Sequence, residues 1–375
     1  MAQVLLGLGS RLLAWVCKLR SGCSSMSFLS VVVATWNRAD TLCVTLDRLA
    51  EQTLPRDKYE VIVVDDGSPD NTEQVVRDYM KTAPFALKYF RHENRGPGYT
   101  ENRGIREAQG PWILLIADDI HCEPTMLEEH YKTHEQHPEP QVAVGGKVLQ
   151  SPDLPRTVFL QNWDPFRYGN FEALDELTYI NFWACNVSFK KAFMLEYGMF
   201  IERPGAAHED TEVGWRLYKN GGLRLLYNKK ALAYHYHIET IDNACKRAYE
   251  RGLKFDSLTD SVNDPGLYVR SHVLTWKTLP FFIRSCLGYK DCVANILDED
   301  KNIHWFIVRE LIRRVLFNRV TVVTYVPVIR HAEHSRFLAL LVKPIFIRAT
   351  VSYHFLKGLR ALRRRRAAES KPLPV

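Results

Sequence analysis

The sequence predicts an α/β fold in which a parallel sheet carries helices on both faces and is followed by a helical C-terminal extension. Three observations support this class. Apolar, β-branched runs alternate with segments of helical spacing over residues 28–146, as in repeated strand–helix–strand units. These runs are continuously apolar, which is typical of strands buried on both faces. From about residue 240 onward, helical patterns replace the strands.

Each element is predicted from its own pattern. In the first part of the chain, apolar runs predict strands at residues 28–34, 59–64, 87–90, 112–117 and 142–146. Helical spacing between and after them predicts helices at residues 40–52, 72–81, 98–109 and 124–136. Residues 150–182 are irregular and rich in aromatic side chains. Beyond them we expect a strand and helix in 186–200, a helix at 209–220, strands at 223–227 and 231–235, and helices at 241–256 and 300–318.

The chain divides into four expected regions. Residues 1–26 are an extension, either a short interfacial helix or sequence ahead of a true start at Met26. Residues 27–245 form the α/β domain and residues 246–329 a helical region. Residues 330–375 form a basic amphipathic tail, in which no apolar stretch is long enough to span a membrane.

The net charge of +7 arises in the tail. Residues 330–375 hold eleven Lys or Arg and two Glu, which is +9, so residues 1–329 sum to −2. A slightly acidic body argues against nucleic-acid binding. The run Arg363–Arg366 is either a solvated end or the anchor of a membrane-surface helix, and the apolar pattern before it favours the second. The eight cysteines include no CxxC pair, which argues against a zinc site.

Asp118 and Asp119 directly follow the predicted buried strand 112–117. Open α/β sheets bind their ligands at the carboxyl ends of the strands. Two adjacent carboxylates at such an end suit a hard divalent cation, which takes oxygen ligands. The alternative is a helix cap, since Asp is common before a helix and Pro124 fits a first helical turn.

Acidic or histidine side chains also occur at three other element ends. The additional positions are Asp65 and Asp66, Glu209 and Asp210, and His235 and His237. If these ends share one edge of the sheet, the side chains surround one crevice. A crevice of this kind can bind a nucleoside, hold a metal that offsets phosphate charge, and remove a proton from an attacking hydroxyl.

Six segments together resemble the inverting glycosyltransferases of family 2, which have the GT-A fold. They are Val31–Arg38, Val63–Ser68, Asn94–Gly104, Leu115–Asp119, His208–Leu217 and Ala233–His237. The segments follow the order and spacing of that family over roughly residues 28–240. The resemblance implies a Rossmann-like sheet that binds a nucleotide sugar, here in residues 27–245.

The resemblance also implies roles for individual residues on the donor side. Trp36 corresponds to an aromatic residue beside the nucleobase, Asp66 to the carboxylate that binds the base, and Asp118 to a residue of the ribose or metal shell. The full set implied to contact the nucleotide sugar is Ala34, Trp36, Asp65, Asp66, Asn94, Gly96, Asn102 and Asp118. Glu101 stands where the family often has Arg, so this chain departs from the pattern there.

On the same grounds, Asp119 and His235 are implied to hold Mn²⁺ or Mg²⁺, and Asp210 to act as general base beside Glu209. Trp183 and Asn186 correspond to the acceptor side. Simpler interpretations remain open for two of these positions. Glu209 and Asp210 also suit a helix start, where the dipole favours negative charge, and His235 could be an ordinary hydrogen-bonding residue.

The expected reaction is one in-line displacement that transfers a hexose from a nucleoside-diphosphate sugar to an acceptor hydroxyl with inversion. The QxxRW motif of processive synthases is absent, since residues 244–252 read ACKRAYERG; we therefore expect one or a few sugars to be added to a cell-surface or lipid-linked glycan. The expected location is cytoplasmic, peripheral at the inner face of the cell membrane. A nucleotidyltransferase is a weaker alternative, because residues 34–38 lack a Gly-rich phosphate loop. The other is a non-catalytic nucleotide-sugar-binding protein.

Overall fold

The computed structural model describes residues 28–203, 207–255, 258, 262 and 318–369. The expected N-terminal extension, residues 1–26, lies outside this part of the chain. So do most of the expected helical region 246–329 and all but the last residue of the helix predicted at 300–318.

The described strands and helices follow one another much as the sequence predicts. The strands are β1 (Leu29–Thr35), β2 (Tyr59–Asp65), β3 (Ala86–Arg91), β4 (Trp112–Ala117), β5 (Ile120–Cys122), β6 (Val142–Gln150), β7 (Glu176–Leu177), β8 (Asn186–Lys190) and β9 (Arg224–His235). The helices are α1 (Ala39–Ala50), α2 (Thr72–Met80), α3 (Pro97–Glu107), α4 (Met126–Gln136), α5 (Val158–Gln161), α6 (Lys191–Tyr197), α7 (Glu209–Gly221), α8 (Ile241–Leu253), α9 (Arg319–His331), α10 (Arg336–Leu341) and α11 (Pro344–Glu369).

These strands form one mixed sheet with the order β3-β2-β1-β4-β8-β6-β9-β5, and β7 pairs with β9. The predicted α/β class with a helical C-terminal extension is therefore confirmed. The expectation of a parallel sheet holds for β1 to β4 but is wrong for β8, which runs antiparallel to both β4 and β6. All five residues of β8, NVSFK, are buried, and their alternation of polar and apolar side chains reads the same in either direction. The two strands predicted at 223–227 and 231–235 are the single strand β9, and the ladder between β6 and β9 shifts register at Gly146/Lys147.

The core lies on both faces of the sheet. All seven residues of β2 are buried, and six of the seven in β1. Helix α1 packs Leu42, Leu46 and Leu49 onto the sheet at helical spacing, and each of the three is fully buried. This apolar stripe explains why α1 forms where the sequence predicts it.

The C-terminal helices pack against α8 and α5 rather than extending away from the domain. A second apolar cluster joins Ile241 and Cys245 of α8, Phe159 of α5, Ile329 of α9 and Ile347 of α11. Among the helices that the structure describes, none is both long and apolar enough to cross a bilayer.

Two glycines allow α8 and α11 to approach closely. A Cβ atom at Gly252 would lie 2.1 Å from the carbonyl oxygen of Phe355, and one at Gly358 would lie 2.0 Å from that of Tyr249. Both distances are far below van der Waals contact, so neither position accepts a larger residue without separating the helices. The crossing therefore fixes how the C-terminal helix sits on the domain.

We predict that Gly358→Ala lowers the free energy of unfolding by about 1 to 3 kcal/mol, as expected when a methyl group is forced into a packed contact. Denaturant unfolding followed by fluorescence would measure the change. Gly169→Ala is the matched control, because nothing lies within 4 Å of a Cβ atom at Gly169. Equal stability of the two variants would contradict a close helix crossing.

Candidate active site

The ends of several strands meet at one edge of the sheet. Thr35 at the end of β1 lies beside Asp65 at the end of β2, and Ala34 lies beside Ala117 at the end of β4. At the other side, His235 at the end of β9 pairs with Ile120, the residue after Asp119. The backbone N–H of Tyr236 donates to the carbonyl of Asp119 at 2.8 Å. The arrangement therefore brings three of the four predicted clusters to one edge.

Asp119, His235 and His237 form the candidate metal group. One ligand atom from each lies within 4.8 Å of the others. Asp119 Oδ2 is 3.4 Å from His235 Nε2 and 3.4 Å from His237 Nδ1. The imidazole rings of the two histidines stack at 5.3 Å, because alternate residues of an extended chain point to the same side. His237 was not in the predicted ligand set, and the His-Tyr-His alternation is the signal that would have included it.

Asp119 is held in its ionised form. It is only 4% exposed, and burial alone would raise its pKa. Hydrogen bonds to His235 and His237, together with the electrostatic effects of His235 and Arg38, outweigh burial and hold the pKa well below its usual range. A carboxylate with two imidazoles suits a first-row divalent metal better than Mg²⁺, whose ligands are almost all oxygen.

The proton on His237 is placed by Arg247 of α8. Arg247 Nη1 lies 2.9 Å from His237 Nε2. Guanidinium can only donate, so Nε2 accepts and the neutral ring carries its proton on Nδ1, facing Asp119. His237 could bind a metal through Nδ1 only after that proton leaves. His235 faces Asp119 with Nε2 and His237 faces it with Nδ1, each at 3.4 Å. The two histidines therefore present different ring nitrogens to the carboxylate.

Arg38 lies between the two carboxylates that the sequence singled out. Its Nη1 donates to Asp118 Oδ1 at 2.9 Å and to Asp119 Oδ2 at 2.7 Å. Burial lowers the pKa of Arg38, but the charges of Asp118 and Asp119 outweigh burial, so the net change is a rise. Sequence reasoning missed this residue, although its place directly after β1, the neighbour of β4, is a usable signal.

Asp118 is fixed by β1 and α1. Its Oδ2 accepts from Thr35 Oγ1 at 2.8 Å, and its backbone carbonyl accepts from Thr45 Oγ1 at 2.7 Å. Burial raises the pKa of Asp118, the charge of Arg38 lowers it, and the charge of Asp119 raises it, with a net rise. The hydrogen bonds from Thr35 and Thr45 fix the side chain and the backbone of Asp118 and so orient the end of β4.

The two carboxylates that end β2 differ in their surroundings. Asp65 is fully buried, and its oxygens accept from the backbone N–H of Ser68 and the hydroxyl of Tyr89, each at 2.7 Å. Asp66 accepts from the backbone N–H groups of Arg95 and Gly96 at 2.7 and 3.0 Å. Asp65 thus holds the strand end, whereas Asp66 holds the loop that begins α3.

The remaining predicted donor-side residues fall into two groups. Trp36 is half exposed, Asn94 is exposed, and Ala34 is partly exposed. Gly96 begins α3 with φ = 88°, a left-handed conformation that favours glycine. Asn102 is buried, and its amide is already bonded to both the N–H and the carbonyl of Phe200. Asn102 therefore organises the chain around Phe200.

A second acidic cluster contains Glu101, Glu209 and Asp210. Asp210, in the first turn of α7, accepts from the backbone N–H of Ala184 at 3.3 Å. Burial and the charge of Glu209 raise the pKa of Asp210 to about 8, although Arg251 of α8 lowers it. Burial and the charges of Asp210 and Glu209 also raise the pKa of Glu101 well above its usual value. Among the residues that the structure describes, one buried carboxyl oxygen of Glu101 and one of Glu209 find no hydrogen-bond partner.

The predicted acceptor-side residues are not placed alike. Trp183 is partly exposed and packs on Phe166, whose ring lies 5.3 Å from that of His235. Asn186 is only 2% exposed, and it bonds to His130 Nε2 at 2.8 Å and to the carbonyl of Ala231 at 3.0 Å. The structure therefore places Trp183 one aromatic ring away from His235 of the metal group. Asn186 lies in the interior, because β8 is a central strand between β4 and β6 and His130 of α4 packs over it.

Comparison with known proteins identifies the family. The model of "Glycosyl transferase family 2" matches residues 30–194. Glucosyl-dolichyl phosphate glucuronosyltransferase from Haloferax volcanii is 30% identical over 223 residues, which cover 55% of this chain and 68% of that protein. Validoxylamine A glucosyltransferase from Streptomyces hygroscopicus subsp. jinggangensis is 29% identical and 53% of each chain is covered, so this chain spans about half of that relative's length. The chain belongs to glycosyltransferase family 2.

A solved structure shares the fold. The mannosyltransferase PcManGT from Pyrobaculum calidifontis, solved with GDP-Man and Mn²⁺, matches with a TM-score of 0.55 and 19% identity, and 96% of both chains is covered. The predicted GT-A fold is thereby confirmed. The nucleotidyltransferase alternative is excluded by the family match.

We predict that Arg38→Gln binds Mn²⁺ roughly two- to fivefold more tightly, the range expected when the partly exposed ion pair of Arg38 with Asp119 is removed. Arg38 supplies positive charge at Asp119, so it competes with a metal for the same carboxylate. Isothermal titration with Mn²⁺ in the absence of nucleotide would measure the affinity.

Arg48→Gln serves as the control for this titration, because Arg48 lies in α1, which begins directly after Arg38, but pairs with exposed Glu51. Weaker Mn²⁺ binding by Arg38→Gln would contradict competition, and would show instead that Arg38 orients the carboxylates.

Proposed function

We propose that this protein is an inverting, metal-dependent hexosyltransferase that moves a sugar from a nucleoside-diphosphate donor to an acceptor hydroxyl. The observation that carries the proposal is the candidate metal group of Asp119, His235 and His237 in a chain of glycosyltransferase family 2. The pKa of Asp119 is lowered beside two histidines, and the pKa of Asp210 is raised to about 8. Such a division separates a metal-binding carboxylate from a carboxylate that can take up a proton.

Asp119, His235 and His237 would hold the divalent cation. When bound, the cation offsets the charge that develops on the departing diphosphate. Between the two metals that the sequence suggests, the mixed nitrogen and oxygen ligands favour Mn²⁺ over Mg²⁺. The Pyrobaculum neighbour, which was solved with GDP-Man and Mn²⁺, supports the same donor chemistry.

Asp210 would act as the general base. A general base works best when its pKa lies near the working pH, since it must be partly ionised and still hold a proton firmly. Burial and Glu209 place the pKa of Asp210 near that range. Asp66, with Trp36 beside it, would bind the nucleobase side of the donor, and Asp118 would orient the end of β4 next to the diphosphate. Transfer in one displacement inverts the anomeric carbon.

The acceptor is proposed to be a lipid-linked glycan, reached by peripheral contact between the C-terminal tail and the cytoplasmic face of a membrane. Two relatives support this class of acceptor. The Haloferax protein is named for transfer to glucosyl-dolichyl phosphate. A protein of Methanococcus voltae, 28% identical over 127 residues, is named for a dolichyl-linked N-acetylglucosaminyl phosphate. The absence of a QxxRW motif supports non-processive transfer.

We predict that Asp210→Asn lowers transfer or donor hydrolysis by roughly 10²- to 10⁴-fold, the usual contribution of a positioned base. The isosteric amide should leave donor binding within about twofold, because it keeps the shape of the side chain and removes only the charge of Asp210, which burial and Glu209 already disfavour. Release of nucleoside diphosphate and calorimetric donor binding would give the two values.

Asp242→Asn is the matched control, since Asp242 also stands at the second position of a helix but is exposed. If Asp210→Asn kept near-full turnover, or if both variants lost activity equally, Asp210 would be only a helix-start residue.

We predict that kcat/KM for donor hydrolysis rises with pH and levels off above about 8, because the raised pKa of Asp210 keeps the base protonated at lower pH. Glu209→Gln should move this rise to lower pH, since the charge of Glu209 is one cause of the raised pKa. Glu51→Gln, at an exposed helix end, should leave the profile unchanged. An unmoved profile in Glu209→Gln would contradict the electrostatic coupling.

A further inference from the structure

Large apolar side chains are exposed where α10 meets α11, a segment that we name the α10–α11 corner (residues 336–346). Phe337 and Leu340 of α10 are 70% and 69% exposed. Leu341, Ile345 and Phe346 are also exposed. A contiguous group of exposed apolar side chains marks an interaction surface, whereas single exposed residues do not.

The corner is packed and hydrogen-bonded to the rest of the domain and is not a frayed helix end. Val342 and Ile347, within or next to the same turns, are 2% and 0% exposed and belong to the apolar cluster that includes α8. The hydroxyl of Tyr325 in α9 donates to the carbonyl of Leu341 at 2.9 Å and accepts from the N–H of Lys343 at 3.2 Å. The segment is therefore apolar on its inner and outer sides alike, which is unusual for a helix that faces only water.

The charge around the corner indicates what covers it. Residues 334–368 contain nine Lys or Arg and no Asp or Glu. Arg336 and Lys343 are exposed within the corner itself. Two copies of this surface would bring like charges together. Apolar side chains flanked by basic ones instead match an anionic lipid surface, where the apolar groups enter the acyl boundary and the cations meet the headgroups.

This surface differs from the Arg363–Arg366 run that the sequence suggested as the anchor. The corner ends at Phe346 in the first turn of α11, and Arg363 follows 17 residues later in the same helix. That spacing is roughly 25 Å at 1.5 Å per residue. That separation exceeds the Debye length of about 8 Å at physiological ionic strength. The two segments can therefore be tested separately.

The corner is also connected to the candidate active site. The apolar cluster beneath it includes Tyr236, which stands between His235 and His237. We propose that the α10–α11 corner inserts its apolar side chains into the interface of an anionic membrane and so holds the crevice near lipid-linked acceptors. The membrane contact stands on its own, whereas its purpose of presenting acceptors rests on the proposed function.

Co-sedimentation of the full chain with vesicles of phosphatidylcholine and phosphatidylglycerol tests the contact. Phe337→Ser with Leu340→Ser should weaken binding about tenfold or more, because two large apolar side chains no longer leave water. Leu195→Ser with Met80→Ser is the matched control, since both residues are exposed apolar residues elsewhere, and it should bind normally. Replacing Arg363–Arg366 by Gln should have a smaller effect than the corner variant.

Several outcomes would overturn the proposal. They are no vesicle binding by the unaltered protein, unchanged binding by the corner variant, and loss of binding only with the Arg363–Arg366 replacement. A dimer that becomes monomeric in the corner variant, measured by sedimentation velocity without vesicles, would assign the surface to a second copy instead.

Two further measurements keep the interpretation clear. Phe337→Trp retains an apolar side chain, and its fluorescence, taken as the difference from the unaltered protein with its eight tryptophans, should shift to the blue with anionic vesicles; an unshifted difference spectrum would contradict insertion even if the double variant failed to fold. Donor hydrolysis without vesicles should be unchanged in the corner variant. Because hydrolysis reports the proposed function and sedimentation reports the contact, failure of either one is recognised separately.

Discussion

The antiparallel pairing of β5 with β9 is the interaction on which the candidate site depends. It places His235 opposite Ile120 and joins Tyr236 to the carbonyl of Asp119. Asp119 follows the parallel half of the sheet, whereas both histidines come from its mixed half. The metal group therefore exists only when the two halves are assembled into one sheet, and no single strand–helix unit could form it.

The surroundings of Asp119 and Asp210 shift the pKa of a carboxyl group in opposite directions. Around Asp119, hydrogen bonds to two histidines and the electrostatic effects of His235 and Arg38 outweigh burial and lower its pKa. Around Asp210, burial and the charge of Glu209 dominate, and Arg251 only partly compensates. The same chemical group is thus kept ionised at one side and made protonatable at the other, as expected where environment sets the role of each carboxylate. Glu101 is a third carboxyl group beside Asp210, and burial and the charges of Asp210 and Glu209 raise its pKa as well.

Much of the fold could be predicted because local patterns determine it. Continuous apolar runs located β1, β2 and β4, and the structure brings the carboxylates that end β2 and follow β4 to one edge of the sheet. Strand direction was not predictable for β8, because its alternation of polar and apolar side chains is the same whichever way the strand runs. The contacts of Asn186 and Asn102 also required the structure, since a polar residue's sequence neighbours do not reveal whether its amide is already bonded within the protein. Arg38 and Arg247 were missed for a related reason: each acts on a side chain that is distant in sequence.

The close crossing of α8 and α11 has a consequence for how the chain can change in length. Helix α8 carries Arg247, which contacts His237, and Arg251, which acts on Asp210. Gly358 must face Tyr249 for the two helices to touch. One residue inserted into α11 before Gly358 would rotate that glycine by about 100° and present a side chain to α8 instead. We therefore expect insertions in α11 to be tolerated after Gly358 but not before it. The number of residues in α11 before Gly358 is constrained because α8, which α11 holds in place, carries Arg247 and Arg251.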